Sequence, residues 1–350
     1  MSRERFLKAV NLQAVDRVPC NEWIDHPDFV RKLTGLDPFA DPCGAVVKML
    51  RLLDIDWYVG IPKKSHRFEA GETRKDFGHG HYVSEWGFTG SGWEMEHGFE
   101  SDEDVLRYDP LERSTPAERL TGYRAVVEGI QSDQRLVGDS CYISGLYYTT
   151  LFQWFILTFG WEMFLMTAAT APERFRRTIA QFAEMSHEYS TCFATTDLPV
   201  FYCHDDLALT NGLVFPPAWY RRNIFPHYER IFAPVKAAGK KIIFVSDGNY
   251  TELIDDLLSV GVDGLMVDHF NDIEAILGSH GGKVLIAGNA DIARLTFGTP
   301  QDVRRDVARC MEYGRRYRGY VIKVTGDLPH NIPLQNIEAY FDACRELGRL

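Results

Sequence analysis

KIIFVSDGN, residues 241–249, opens as a continuous apolar run and closes on Ser246, Asp247, Gly248 and Asn249. A helical pattern follows. A second apolar run, GLMVDHF (264–270), then ends on Asp268 and His269. Two buried-strand patterns in succession therefore carry ionisable groups at their C-terminal ends, which is how a β/α barrel presents chemistry. The chain reads as an enzyme rather than as a generic globular domain.

Six further runs share the strand pattern: RVPCNEW (17–23), DIDWYVG (54–60), RLVGDSCYIS (135–144), VFYCHD (200–205), KVLIAGN (283–289) and YVIKV (320–324). Apolar strands alternating with helical patterns imply a parallel sheet covered on both faces. Eight such units fit an α/β fold of the (β/α)8 TIM-barrel type. Several helices carry readable ends. In GTPQDVRRDVARCMEYG (298–314), Thr299 is the expected N-cap and Pro300 fits the first turn. Val303, Val307, Cys310 and Met311 form one apolar face, and Gly314 is expected to end the helix. In APERFRRTIAQFAEM (171–185), Pro172 opens a helix whose Phe175, Ile179 and Phe182 repeat at core spacing.

Residues 63–115 break the alternation. Their Gly, His, Trp and charged residues run in polar–apolar alternation, like hairpin strands. They are read as an insertion near the barrel mouth. No linker or internal repeat divides the chain, so 1–350 is expected to be one barrel domain with an N-terminal region and this insertion.

With 350 residues, 45% of them hydrophobic, the chain can bury a large core. A net charge of −11 without a basic block argues against nucleic acid as a partner. It also disfavours a polyanionic substrate unless basic residues gather locally. Seven scattered cysteines without a CxxC pair suggest reduced thiols and a cytoplasmic location. MSRERFLKAVNLQ has no signal-peptide core, and no run approaches the roughly eighteen apolar residues of a membrane span. The very apolar stretch Ile143–Ala171 reads either as buried helix or as a surface for a homodimer.

The chemistry-bearing residues cluster at strand ends. In Tyr202-Cys203-His204-Asp205-Asp206, alternation points His204 and Asp206 to one side and Asp205 to the other. A His with carboxylates can bind a metal or relay protons, although such residues also cap turns. Asp247 can face the mouth as base or ligand, with Asn249 beside it, or cap the following helix. His269 can ligate a metal, or pair with Asp268 to orient Asp247. GNAD (288–291) and TGDLPHNIP (325–333) lack a phosphate-binding fingerprint, and Asp327 and His330 are weaker mouth candidates. His79 and His81 read better as surface residues of a Gly-rich hairpin than as chelators. Cys20 and Cys203 have no His/Asn partner pattern, which argues against a thiol nucleophile.

Four stretches together with the opening RERFLKAVNLQAVDRVP (3–19) resemble the uroporphyrinogen decarboxylase superfamily. They are HDDLALTNGLVFPPAWYRRNIFPHYERI (204–231), AAGKKIIFVSDGNYTELIDDLLSVGVDGL (237–265), AGNADIARLTFGTPQDVRRDV (287–307) and GDLPHNIPLQNIEAYFDACRELGR (326–349). The resemblance implies a (β/α)8 barrel with its site at the C-terminal mouth. It implies either the cofactor-free decarboxylase of haem synthesis or a methyltransferase. The methyltransferases pass methyl groups between small substrates, thiols and corrinoid proteins, usually with zinc. This chain departs from both. PCNEWIDHPDFVRKL (19–33) stands in place of the decarboxylase's arginine-rich loop. Val245-Ser246-Asp247 stands where thiol-activating methyltransferases carry His-x-Cys, and the later Cys near Gly326 is missing.

The resemblance then points to a demethylating methyltransferase. It would take methyl from a small O- or N-methylated substrate, such as a methoxyaromatic, to a corrinoid protein. Expected metal ligands for zinc are drawn from His204, Asp206, Asp247 and His269, with Asp247, Asp206 and His269 as catalytic groups. Expected substrate contacts are Glu22, Trp86, Tyr147, Asn249 and Asn289, with Phe88, Trp93 and Tyr148 adding to an apolar wall. The alternatives are a cofactor-free decarboxylase and a non-catalytic corrinoid- or tetrapyrrole-binding barrel.

Overall fold

In the computed structural model, residues 2–64, 98–324 and 326–350 are described with their side chains; between 65 and 97 only the backbone of three strands is described. Eight parallel staves close into a TIM barrel. On the segment 19–25, Cys20 bridges Ile322 and Asn21 bridges Trp57. Its strand β1 (Ile24–Asp25) pairs with Leu328–Pro329. Strand β2 (Trp57–Tyr58) pairs with β3 (Tyr142–Ile143), and Tyr147 bridges Cys203 of β4 (Val200–His204). From β4 the sheet is continuous through β5 (Lys241–Val245), β6 (Gly264–Met266), β7 (Leu285–Ala287) and β8 (Tyr320–Val321). The Cys20–Ile322 bridge then closes the ring.

Each stave comes from one of the eight apolar runs. RLVGDSCYIS is the loosest match, because Arg135–Val137 still belong to the helix Pro116–Val137. Its polar Gly138-Asp139-Ser140 makes the turn, and only Tyr142–Ile143 is strand.

Two apolar cores follow from strand alternation. Trp57, Tyr142, Val200, Tyr202, Ile243, Val245, Met266, Leu285, Ala287 and Val321 fill the barrel interior. The alternate residues, among them Tyr58, Ile143, Phe201, Phe244, Leu265 and Ile286, face the helix layer. The interior is plugged at the start of the strands by the helix Ser2–Val10, whose Phe6 and Val10 belong to the same cluster. The Phe6 ring lies 4.8 Å from Trp57 and 4.9 Å from Tyr142. Arg5 holds this helix in place by pairing with Asp16 at 2.7 Å and with the buried Asp56.

The helix Pro300–Arg316 has the expected start: Thr299 and Asp302 form a reciprocal capping box. It does not end at Gly314 but runs on to Arg316. Gly314 is there for space, because a Cβ would meet a Val18 methyl at 2.2 Å. The apolar stretch Ile143–Ala171 is mostly core. Its helix Phe152–Thr170 buries Phe152, Phe155, Phe159 and Phe164 and is interrupted at Gly160, where φ is 74°. The strands Arg74–Gly78, His81–Trp86 and Ser91–Met95 form an antiparallel sheet between β2 and β3, where the hairpin pattern was expected. Among the described residues, no helix is long and apolar enough to cross a membrane.

Because Phe6 is fully buried between two aromatic rings, Phe6→Ala should destabilise the protein by about 3–5 kcal/mol in urea unfolding. A loss below about 1 kcal/mol would mean that the N-terminal helix is docked on the barrel rather than part of its core.

Candidate active site

The site begins where β4 ends. Alternation holds past the strand, so His204 and Asp206 turn into the mouth while Asp205 turns outward. Asp205 is fully buried, and its carboxylate accepts the backbone N–H groups of Leu151, Phe152 and Gln153, each at 2.7 Å. It also accepts the Tyr228 hydroxyl at 2.6 Å. The first three donors are the orphan amides at the start of the helix Phe152–Thr170, a natural seat for an anion. Burial nevertheless pushes the Asp205 carboxyl up to about 6. This anchorage fixes the loop 147–153 over the mouth.

That loop aims His204. The His204 Nδ1 lies 3.0 Å from the carbonyl oxygen of Tyr148, and the two rings sit 4.6 Å apart. A carbonyl only accepts, so Nδ1 carries the hydrogen and Nε2 faces Asp206 Oδ1 at 2.9 Å. Nε2 there can donate as an imidazolium or offer a lone pair to a metal. Burial opposes the charged ring, but the Asp206 carboxylate outweighs it and raises His204 to about 9. Asp206 Oδ1 also accepts the Asp247 N–H at 2.9 Å, and Oδ2 accepts the Gln153 carboxamide at 2.9 Å. Against its own burial, the His204 charge holds Asp206 below its ordinary value.

Asp247 stands two residues past β5, open to solvent on one side but walled by protein on the others. Loss of surrounding water, reinforced by Asp206, pushes its carboxyl up to about 6 against the pull of His204. Ligand atoms of His204, Asp206 and Asp247 all lie within 4.8 Å of one another. An ion held at roughly 2.0–2.2 Å from each would need only small side-chain rotations. The donor set suits zinc: one imidazole whose other nitrogen is fixed by a carbonyl, and two carboxylates.

His269 is not in that group. Its Nδ1 lies 2.7 Å from Asp268 Oδ1, and its ring is tilted against that of Phe270, with centroids 3.9 Å apart. Asp268 Oδ2 accepts the Gly248 N–H at 3.2 Å, so this pair supports the turn that carries Asp247.

Four of the expected substrate contacts point elsewhere. Glu22 lies between Cys20 and Ile24, which both pack into the outer core, so it shares their outward phase. Its Oε1 accepts the Val324 N–H at 2.9 Å and the Tyr340 hydroxyl of the helix Leu334–Leu347. Tyr147 likewise faces the helix Pro172–Ala194, bonding Ser186 at 2.9 Å and stacking on Tyr189 at 4.1 Å; its neighbour Tyr148 is the one at the mouth. Asn249 Oδ1 closes a local turn on Thr251. Asn289 Oδ1 is taken by Arg309 of the helix Pro300–Arg316 at 3.0 Å. The side chains of His81, Trp86 and Trp93, and the residues His79 and Phe88 entirely, lie outside the described residues. His330 is exposed, whereas the charge of Asp327 is felt at Asp247, Tyr148 and Glu22.

Gln153 and Lys323 were not singled out by sequence. Gln153 carried no local signal, because its partner Asp206 is 53 positions away. Lys323 had one: it falls two residues after Val321, on the inward phase of the last strand.

Comparison with known proteins adds three likenesses. The uroporphyrinogen decarboxylase (URO-D) family model matches residues 156–347. The uroporphyrinogen decarboxylases of two Thermus thermophilus strains are 29% and 28% identical over 136 residues. That alignment spans 38% of this chain and 38% of each relative. The fold follows that of a methyltransferase from Methanosarcina mazei over 99% of this chain and 98% of the other, with a TM-score of 0.67 at 16% identity.

Burial pushes the Glu22 carboxyl from 4.5 up to about 7, despite the nearby Lys323 ammonium and the Tyr340 hydroxyl. Between these values the folded protein holds a proton that the unfolded chain has released, so this group makes stability fall as pH rises through the window. Glu22→Gln should therefore shrink the stability difference between about pH 5 and about pH 8 by on the order of 2–3 kcal/mol, read from urea unfolding at both pH values. An unchanged difference would show that Glu22 ionises normally.

Proposed function

The chain belongs to the uroporphyrinogen decarboxylase family, and on that premise we propose that it removes a methyl group from a small O- or N-methylated substrate and passes it to a corrinoid carried by a partner protein. The observation that carries this reading is the convergence of His204, Asp206 and Asp247 into one metal-competent group at the barrel mouth.

When a methyl group leaves to a nucleophile, the bonding pair stays on the oxygen or nitrogen it leaves behind. That atom must be neutralised by a proton or a Lewis acid. A zinc ion bound by the three residues would supply the Lewis acid. The chain's own residues do the rest. Tyr148 and Asp206 keep the His204 ring in one orientation, Gln153 and the Asp247 N–H hold Asp206, and the Tyr148 ring walls one side of the mouth.

Charge favours this reading over porphyrinogen decarboxylation. Asp206, Asp247, Asp268 and Asp327 share one electrostatic neighbourhood, and each of the other three raises Asp247. A mouth of that composition repels a substrate bearing several carboxylates. The decarboxylase reading keeps its support from the Thermus relatives, and the experiment below separates the two.

Elemental mass spectrometry of untagged protein grown with zinc should find near one zinc per chain, lost in Asp247→Ala and His204→Ala. Gln153→Ala, which removes only a bond to Asp206, should weaken zinc binding by about 10–100-fold. Methylated donors should then convert cob(I)alamin to its methylated form, followed by absorbance. Release of carbon dioxide from a porphyrinogen by metal-free protein would overturn the proposal.

A further inference from the structure

The pleat above the barrel's interior core has an uneven charge. His204, Val245, Met266, Ala287 and Val321 pair in register across β4 to β8. Two residues further along each strand come Asp206, Asp247, Asp268, Asn289 and Lys323. The bridge between Ala290 and Val324 carries the β7–β8 pairing up to this level. Val321 belongs to the barrel interior, so Lys323 shares its inward phase. Among the described residues at this level, three carboxylates thus occupy one arc of the mouth and the Lys323 ammonium stands on the other, with Asp327 four positions further along the chain. Asn289, between the two arcs, has its carboxamide engaged by Arg309.

Lys323 is only 8% exposed. Its Nζ donates to the Gly326 carbonyl at 2.9 Å, and among the described residues no carboxylate lies within ion-pair distance of it. An ammonium has three N–H donors, so two are left without an acceptor among the described residues. A buried cation in that state is costly and is normally matched by an anion. Glu22 feels the Lys323 charge, but its Oε1 is taken by Val324 and Tyr340, its Oε2 makes no hydrogen bond among the described residues, and burial keeps its carboxyl up at about 7, so it matches the ammonium only in part.

We propose that Lys323 anchors a carboxylate carried by the methyl donor, so that the substrate spans the mouth with its anionic end at Lys323 and its methylated end at His204, Asp206 and Asp247. This rests on the methyl-transfer reading of the same mouth and narrows it to small methylated carboxylic acids. The acid-rich arc excludes molecules with several carboxylates, while the Lys323 ammonium selects those with one.

The test is calorimetric binding to the full zinc-loaded chain, without corrinoid, using three pairs of probes. Methoxyacetate, 4-methoxybenzoate and N,N-dimethylglycine are each compared with the alcohol in which a hydroxymethyl group replaces the carboxylate: 2-methoxyethanol, 4-methoxybenzyl alcohol and 2-(dimethylamino)ethanol. At least one acid should bind about tenfold or more tightly than its alcohol, as expected for a charge-assisted hydrogen bond. Lys323→Met should erase that preference and Lys323→Arg should retain it, with zinc content and circular dichroism unchanged in both. The proposal is overturned if no acid binds, if acids and alcohols bind alike, or if Lys323→Met keeps the preference. Binding is read without turnover. An acid preference that depends on Lys323, in a protein that never methylates cob(I)alamin, would therefore remove the methyl-transfer reading and leave the anchor in place.

Discussion

The buried carboxylate of Asp205 is the constraint on which the site depends. It faces away from the mouth, yet it sets the mouth's geometry. By accepting three amides at the start of the helix Phe152–Thr170 and the hydroxyl of Tyr228, it ties the end of β4 to two outer helices. The loop thus pinned delivers the Tyr148 carbonyl to His204 and the Gln153 carboxamide to Asp206. A carboxylate buried with so many donors is costly to desolvate and costly to disturb, because removing it would leave several buried amides unsatisfied. Strand alternation makes the arrangement possible. One residue points out to hold the scaffold, and its two neighbours point into the mouth.

The opposite end of the barrel combines aromatic packing with buried ion pairs. Phe6 fills the space between Trp57 and Tyr142, and the Arg5 and Arg17 guanidinium groups meet Asp56 beneath the strands. Among the described residues, this packing closes the end where the strands begin, and the ionisable groups gather at the end where they stop. The division suits the fold: an apolar plug supplies stability, and the mouth can hold a concentration of like charge that a core could not. Asp247 and Asp205 both have carboxyl groups raised to about 6, a sign of what that concentration and burial cost.

Harder donors distinguish this mouth from one that activates a thiol. A cysteine-rich zinc site lowers the pKa of a bound thiol, whereas an imidazole with two carboxylates would offer a metal oxygen-rich ligation and leave it more acidic. Such a site is suited to drawing electron density from an ether or amine heteroatom.

The strands were legible because each is a short apolar run bounded by polar turns, and the helices because their apolar residues recur at helical spacing. The presence of ionisable groups at the ends of β4, β5 and β6 was equally plain, and so was the opposite facing of Asp205 and its neighbours, since alternation is a local property. Where a side chain points once it leaves a strand is not local. Glu22, Tyr147 and Asn289 sit on the same segments as mouth residues but are claimed by Tyr340, Ser186 and Arg309, partners that lie far along the chain. Asn249 is lost to a turn that forms only after β5 ends. The convergence of His204, Asp206 and Asp247, and the placing of Lys323 on the same rung, depend on the register between strands. Register is set by packing around the closed ring, so it exists only in the folded barrel.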